Sequence, residues 1–186
     1  MLKLKNQYTT LKRPLFYWLV AVFNRVDEKR IKELGPDRAC AEWLLRNGAA
    51  VQWTGGRAYL KDYNALPQET KVVRPSYIQG VDGTNSGISH EGFPHFSGCK
   101  YVLEMKLVNC VYIGNNALDL LYLLKDSLQS LEISNCGNVT DAGLKHLKIL
   151  QKLKMLKLSN LPAVENGVLV TEELKKSLPN CQINFQ

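Results

Sequence analysis

The back half of the chain repeats itself, and no other feature restricts its possible folds as tightly. Aligned on Cys110, Cys136 and Leu161, three segments carry apolar residues at the same offsets. Before the anchor stand Val102, Met105, Leu107; then Leu128, Leu131, Ile133; then Leu153, Leu156, Leu158. After it come Ile113, Val139, Val164 and, further on, Leu118, Leu144, Leu169. A recurrence every ~25 residues means that each unit buries its apolar face on its neighbours, which is the logic of a solenoid. One step back lie Val81 and Thr84, with Phe93 and Phe96 in the return; one step forward lie Leu178, Cys181 and Ile183. The pattern predicts five parallel strands joined by four returns.

The unit length, the L-x-L strand and the recurring cysteine describe an α/β fold, a short leucine-rich repeat solenoid of the cysteine-containing type with parallel strands and helical returns. Cys110 and Cys136 read as small inward hydrophobes. Between the buried strand positions, Lys106, Glu132 and Lys157 face outward on consecutive strands ~4.8 Å apart, forming an alternating charge ladder on the concave face. Val108, Ser134 and Ser159 make a second, uncharged row, and Asn109, Asn135 and Asn160 recur at the strand ends, where amides can hydrogen-bond along the stack. No general base meets a nucleophile here and no glycine-rich phosphate loop follows a strand. A non-enzyme is the expectation.

The front half is organised differently. Residues 1–75 hold fourteen Lys and Arg against seven Asp and Glu, whereas residues 76–186 hold ten of each, so the whole formal charge of +7 sits at the front. A nucleic-acid reader spreads basic side chains over one folded face, so nucleic acid is not expected as a partner. The first carboxylate is Asp27; Lys3, Lys5, Lys12, Arg13 and Arg25 precede it with no acid among them. That composition suits a mitochondrial transit peptide over residues 1–15, and equally a disordered basic tail. The apolar run from Leu15 to Phe23 is nine residues long, too short to span a bilayer, which takes about 20. Wound as a helix it stacks Phe16, Leu19, Val20 and Phe23 on a stripe beside Trp18, suited to core packing or to interfacial contact.

Asp27 can cap a helix over 28–34, Gly35 stops it, and Pro36 opens a second helix over 36–47 that turns Ala39, Trp43 and Leu44 to a core. Around Gly55-Gly56 a hairpin is expected, and Pro67 and Pro75 mark a linker. The expected division is 1–15 targeting segment, 16–75 small mainly helical domain with a hairpin, and 76–186 repeat domain. The five cysteines and three histidines show neither disulfide nor zinc spacing.

Several blocks are more specific than the repeat. Gly35-Pro36-Asp37-Arg38-Ala39, Glu42-Trp43-Leu44-Leu45-Arg46 with Gly48-Ala49, Lys61-Asp62-Tyr63-Asn64 with Leu66-Pro67, Cys136-Gly137-Asn138-Val139-Thr140-Asp141 and Ser177-Leu178-Pro179 occur in order. Together with Trp18 and the run Ala21 to Asn24, they resemble the ATP synthase subunit s (coupling factor B) family from Phe16 to the C-terminus. The resemblance implies a mitochondrial protein on the matrix side of the inner membrane, peripherally associated with the proton-channel (CF(0)) sector of ATP synthase. There it would be a non-catalytic coupling factor that limits proton leak and supports hydrogen ion transport. A related member assembles the membrane arm of respiratory complex I, which is the alternative role; a ubiquitin-ligase adaptor would need F-box helices that the front half does not resemble. A homo-oligomer stays open.

The resemblance also implies sites. A weakly held Mg²⁺ would fall at Gly48 and Thr84, and the family's Cys-x-Cys dithiol keeps only its second thiol, Cys110, in Leu107-Val108-Asn109-Cys110. Docking to membrane or partner is expected from Arg13, Phe16, Trp18, Leu19, Phe23 and Arg25, with less from the concave Lys106, Glu132 and Lys157.

Overall fold

The computed structural model describes residues 18–66 and 76–186. The expected targeting segment and most of the expected linker lie outside the described residues. Helix α1 covers 18–24. Asp27 then accepts a hydrogen bond from the Arg30 amide at 2.9 Å and starts α2, Glu28–Leu34. Gly35 takes φ +84°, a turn that a side chain would strain, and Pro36 at the first position launches α3, Pro36–Arg46.

The six strands are β1 (Ala50–Trp53), β2 (Ile78–Asp82), β3 (Glu104–Val108), β4 (Ser130–Ser134), β5 (Met155–Ser159) and β6 (Gln182–Phe185). They form one sheet in chain order, α/β and mixed: β1 runs antiparallel to β2, and β2 to β6 are parallel. Val81, Met105, Leu131, Leu156 and Ile183 stand in one cross-strand row, each buried. The returns are a 3₁₀ turn at His90–Phe96, then α4 (Asn115–Asp119), α5 (Asp141–His146) and α6 (Gly167–Ser177). Phe93, Phe96, Leu118 and Leu144 fill the space between sheet and returns, and one apolar core runs without a break from Cys40 to Ile183.

Two expectations need correction. The hairpin around Gly55-Gly56 reduces to a single antiparallel bridge between Val51 and Leu60, because β1 has its long partner in β2. Leu169, expected inward with Leu118 and Leu144, is 53% exposed, and Val170 takes the buried place. The last unit is longer: Leu156 pairs with Ile183 across 27 residues, where Leu131 pairs with Leu156 across 25, so the helix is rotated out of the earlier frame.

At the strand ends Asn85, Asn109, Asn135 and Asn160 all adopt positive φ between 48° and 58°. Asn tolerates this region better than other residues with a side chain, and its amide repays the strain by bonding along the stack. Asn109 donates to Asn85 at 2.5 Å, Asn135 to Asn109 at 2.9 Å and Asn160 to Asn135 at 2.7 Å.

Candidate functional site

Helix α1 presents an apolar surface on a rigid mount. Trp18 is 60% exposed, and Val22 and Phe23 48% each. Leu19 and Val20 are half-buried, so the outward set is Trp18, Val22 and Phe23 rather than the stripe expected through Leu19. Trp18 and Val22, four apart, share one face of the helix. Arg25 follows directly and is exposed; Arg13 and Phe16 lie outside the described residues. Val22, Arg25, Asp27, Glu28 and Arg46 border an open groove of about 710 Å³ beside it.

Asn24, fully buried, holds α1 in place. Its amide nitrogen donates to Val20 O at 2.9 Å, Gly87 O at 3.0 Å and Asn47 Oδ1 at 3.3 Å. Its oxygen accepts from the Trp43 indole at 3.0 Å and the Ser89 amide at 2.9 Å. Asn47 completes the clasp, donating to Phe23 O at 3.1 Å and Trp43 O at 2.9 Å. Sequence reasoning passed over Asn24; a lone amide closing a nine-residue apolar run was the available signal. Behind it, Trp43 stacks on His95 with ring centroids 5.1 Å apart and packs edge-on to Phe96. Glu42 ties α3 to α2 through Arg30 and pairs with Arg38 one turn back on α3 itself, each at 2.9 Å. Burial alone would raise the Glu42 carboxyl, but the two guanidinium hydrogen bonds outweigh it and hold the pKa below the usual range.

The solvent-facing side of the sheet carries the expected ladder in register, Lys106 against Glu132 and Glu132 against Lys157, and extends it to Asp82 at one end and Asn184 at the other. Lys157 and Glu132 meet at 2.7 Å. Ser134 and Ser159 share a hydrogen bond at 2.5 Å in the next row. Its charges alternate, so the face has no strong field of one sign.

Gly48 and Thr84 come to the same end of the sheet, because Ala50 pairs with Asp82 and each lies two residues further out. Asn47 O accepts from the Gly87 amide at 2.8 Å, which fixes the two loops side by side. Thr84 donates from both its amide (3.0 Å) and its hydroxyl (2.5 Å) to Asp82 Oδ1. Burial would raise Asp82, yet those bonds and nearby Lys106 and Lys61 lower its pKa, so it is ionised. A backbone carbonyl at the end of α3, a hydroxyl oxygen and a nearby carboxylate are hard oxygen donors that fit a largely hydrated Mg²⁺. Among the described residues, no three His, Cys, Asp or Glu gather as a dedicated metal cage.

Cys110 is fully buried and donates to Gly83 O at 2.9 Å. Val108 stands in the row with Ser134, on the side of the sheet away from the core, so positions 108 and 110 face apart across the left-handed Asn109. The thiol beside Cys110 comes from the next unit: a hydrogen bond to Cys136, and then burial, push the Cys110 pKa far up.

Curated relatives resolve what this scaffold is. Mitochondrial ATP synthase subunit s of Bos taurus is 43% identical over 171 residues, spanning 90% of this chain and 84% of the relative. That of Rattus norvegicus is 43% identical over 176 residues, 93% and 87% respectively, and that of Homo sapiens 41% over 172, 91% and 85%. The chain belongs to the ATP synthase subunit s family. No family model matches it. At 93% coverage, the likeness to the family includes the α3 signature as well as the repeats. In this subunit s family member, no helix among the described residues is long and apolar enough to cross a membrane.

Proposed function

We propose that this chain is a non-catalytic accessory protein of mitochondrial ATP synthase. It docks from the matrix side on the proton-channel sector at the inner membrane, supports proton conduction through the enzyme and limits proton leak around it. The observation that carries the reading is the exposed Trp18, Val22 and Phe23 on a helix whose mount, Asn24, is fully buried and hydrogen-bonded. Aromatic anchors of this kind often carry 2 kcal/mol or more each at an interface, and Arg25, with Arg13 ahead of it, suits an anionic surface. The concave ladder adds less, since exposed ion pairs are worth about 0–1 kcal/mol. The family names support the ATP synthase assignment.

The repeated units are read as a leucine-rich repeat solenoid of the cysteine-containing type, supported by the in-register rows and the asparagine ladder. Its part is to hold the α1 mount rigid. Mg²⁺, where bound, would take the Gly48 carbonyl and Thr84 hydroxyl and supply positive charge that ties the loop after α3 to the loop after β2.

Inner-membrane vesicles stripped of the protein test the reading. They should leak protons, and adding the chain should restore the gradient, whereas a Trp18→Ala, Phe23→Ala variant with an unchanged melting curve should restore it poorly. Full restoration by that variant, with loss in Lys106→Glu, Lys157→Glu, would move the docking surface to the concave face. Stripped vesicles that hold their gradient, in mitochondria where complex I assembly stalls without the chain, would replace coupling by assembly.

A further inference from the structure

The two edges of the sheet are finished differently. At β1 the outer edge is covered: Val51 exchanges both backbone hydrogen bonds with Leu60, at 3.0 and 2.8 Å. At β6 it is bare among the described residues. Gln182 donates to Lys154 O, Gln186 to Leu158 O, and Gln186 O accepts from Asn160, so residues 182, 184 and 186 spend their peptide groups on β5. By the alternation of a parallel ladder, the N–H and C=O of Ile183 and Phe185 point out of the sheet.

Bare edges are normally protected by lysine, proline, bulges or inward charges. β6 carries none of these and relies on its shortness alone, four residues; the strand and its flank read Gln182, Ile183, Asn184, Phe185, Gln186. Asn184 is also the one uncharged member of its row on the parallel strands, which otherwise runs Asp82, Lys106, Glu132, Lys157. Beside the edge, α6 exposes Val168 at 78% and Leu169 at 53%, above a groove of about 460 Å³ lined by Gly167, Thr171, Ile183 and Phe185.

We propose that the β6 edge is a self-association surface whose occupant is the β6 of a second copy of this chain, antiparallel about a two-fold axis at Asn184. In that register Ile183 of each copy faces Phe185 of the other, and the outward peptide groups of both strands are used up in four reciprocal hydrogen bonds. Asn184 then opposes its own copy as a non-hydrogen-bonded pair, where side chains approach most closely. An amide is both donor and acceptor and pairs with itself; any charged member of the row would place like charges together at the axis. Gln182 and Gln186 oppose each other on either side, again uncharged. The two α6 helices come alongside on the core side of the joined sheet, covering Val168 and Leu169, with Glu172 and Lys175 on each supplying unlike charges. A closed two-fold contact of this type is the commonest form of homo-oligomer.

Sedimentation equilibrium of the full chain tests it, with Asn184→Lys and Asn184→Asp as variants; Asn184 is exposed, so both should melt as the parent does. The parent is expected as a monomer–dimer equilibrium. Each variant alone should raise the dissociation constant by at least about tenfold, and an equimolar mixture of the two should recover association, because opposite charges then meet at the axis. A parent chain monomeric up to about 1 mM would overturn the proposal and leave the edge to a strand of another protein. A dimer indifferent to Asn184→Lys, or weakened by both variants without recovery in the mixture, would overturn it as well.

Discussion

Asn24 Oδ1 and Trp43 Nε1 lie 3.0 Å apart in a hydrogen bond from indole to amide that joins the first helix to the third. The same amide reaches the loop after β2, so one side chain holds three segments together. Asn24→Ala would leave the Trp43 and Ser89 N–H groups buried without that acceptor. At ~1–3 kcal/mol for each orphaned group, the loss should be about 3 kcal/mol, roughly 10 °C in melting temperature. Limited proteolysis should then cut near Arg25, where the parent resists. Unchanged resistance would mean that other contacts hold α1.

Gly92 is pressed against the same indole. A Cβ there would come within 2.2 Å of Trp43 Cε2, closer than non-bonded atoms tolerate. Gly92→Ala should therefore push Trp43 off His95 and cost about 3 kcal/mol, the upper range for overpacking. The checks are chemical denaturation and a shift in tryptophan emission. A neutral substitution would mean that the indole has a second comfortable position.

How much of this was legible in the sequence divides along the chain. The sheet of parallel strands could be read because each unit restates the same apolar offsets, and the registers Met105–Leu131–Leu156 follow that alignment. The caps at Asp27, Gly35 and Pro36 were equally local and also emerged. Where the unit length changed, in the last return, the frame slipped by one residue and Leu169 was misplaced. The α1 mount could not be read, since apart from Val20 the partners of Asn24 lie 19 to 65 residues away and no periodicity marks them. The meeting of Cys110 with Cys136 was hidden for a related reason: the alignment showed both turned inward but not that they touch.

Stability should fall on acidification in two steps. His95 is buried on Trp43 with Nδ1 2.8 Å from Gly92 O. Burial lowers its pKa, and Arg46 adds to this, while the Gly92 carbonyl and Asp27 oppose it. Folded protein thus binds fewer protons than unfolded as pH drops through the usual histidine range near ~6.5, so stability declines there. Glu42, held low by Arg30 and Arg38, contributes a second decline below about pH 4.3. Asp37 acts oppositely, since burial raises its pKa despite the Ile78 amide, and it softens the second step. Melting temperatures from pH 7.5 to 3.5 should show both steps, and His95→Phe should flatten the first. A first step surviving that substitution would assign it elsewhere.

Thiol reactivity should separate one cysteine from the other four. Cys40, Cys99, Cys110 and Cys136 are buried at 0–3% exposure, while Cys181, just ahead of β6, is half-buried. Attack requires access and a thiolate. Burial raises the Cys181 pKa somewhat, and raises that of Cys40 far more, with help from its hydrogen-bonded neighbour Cys99. A disulfide-exchange reagent at neutral pH should therefore titrate one thiol per native chain, slowly, and all five once the chain is unfolded. Cys181→Ser should abolish the native reaction. A bifunctional arsenical should fail to bind the folded chain, because the neighbouring pairs Cys40–Cys99 and Cys110–Cys136 are both sealed in the core, and should bind once denaturant opens them. Rapid arsenical binding to the native chain that is lost in Cys136→Ala would show that the repeat opens locally between β3 and β4, and the rigid mount argued for α1 would then rest on a mobile neighbour.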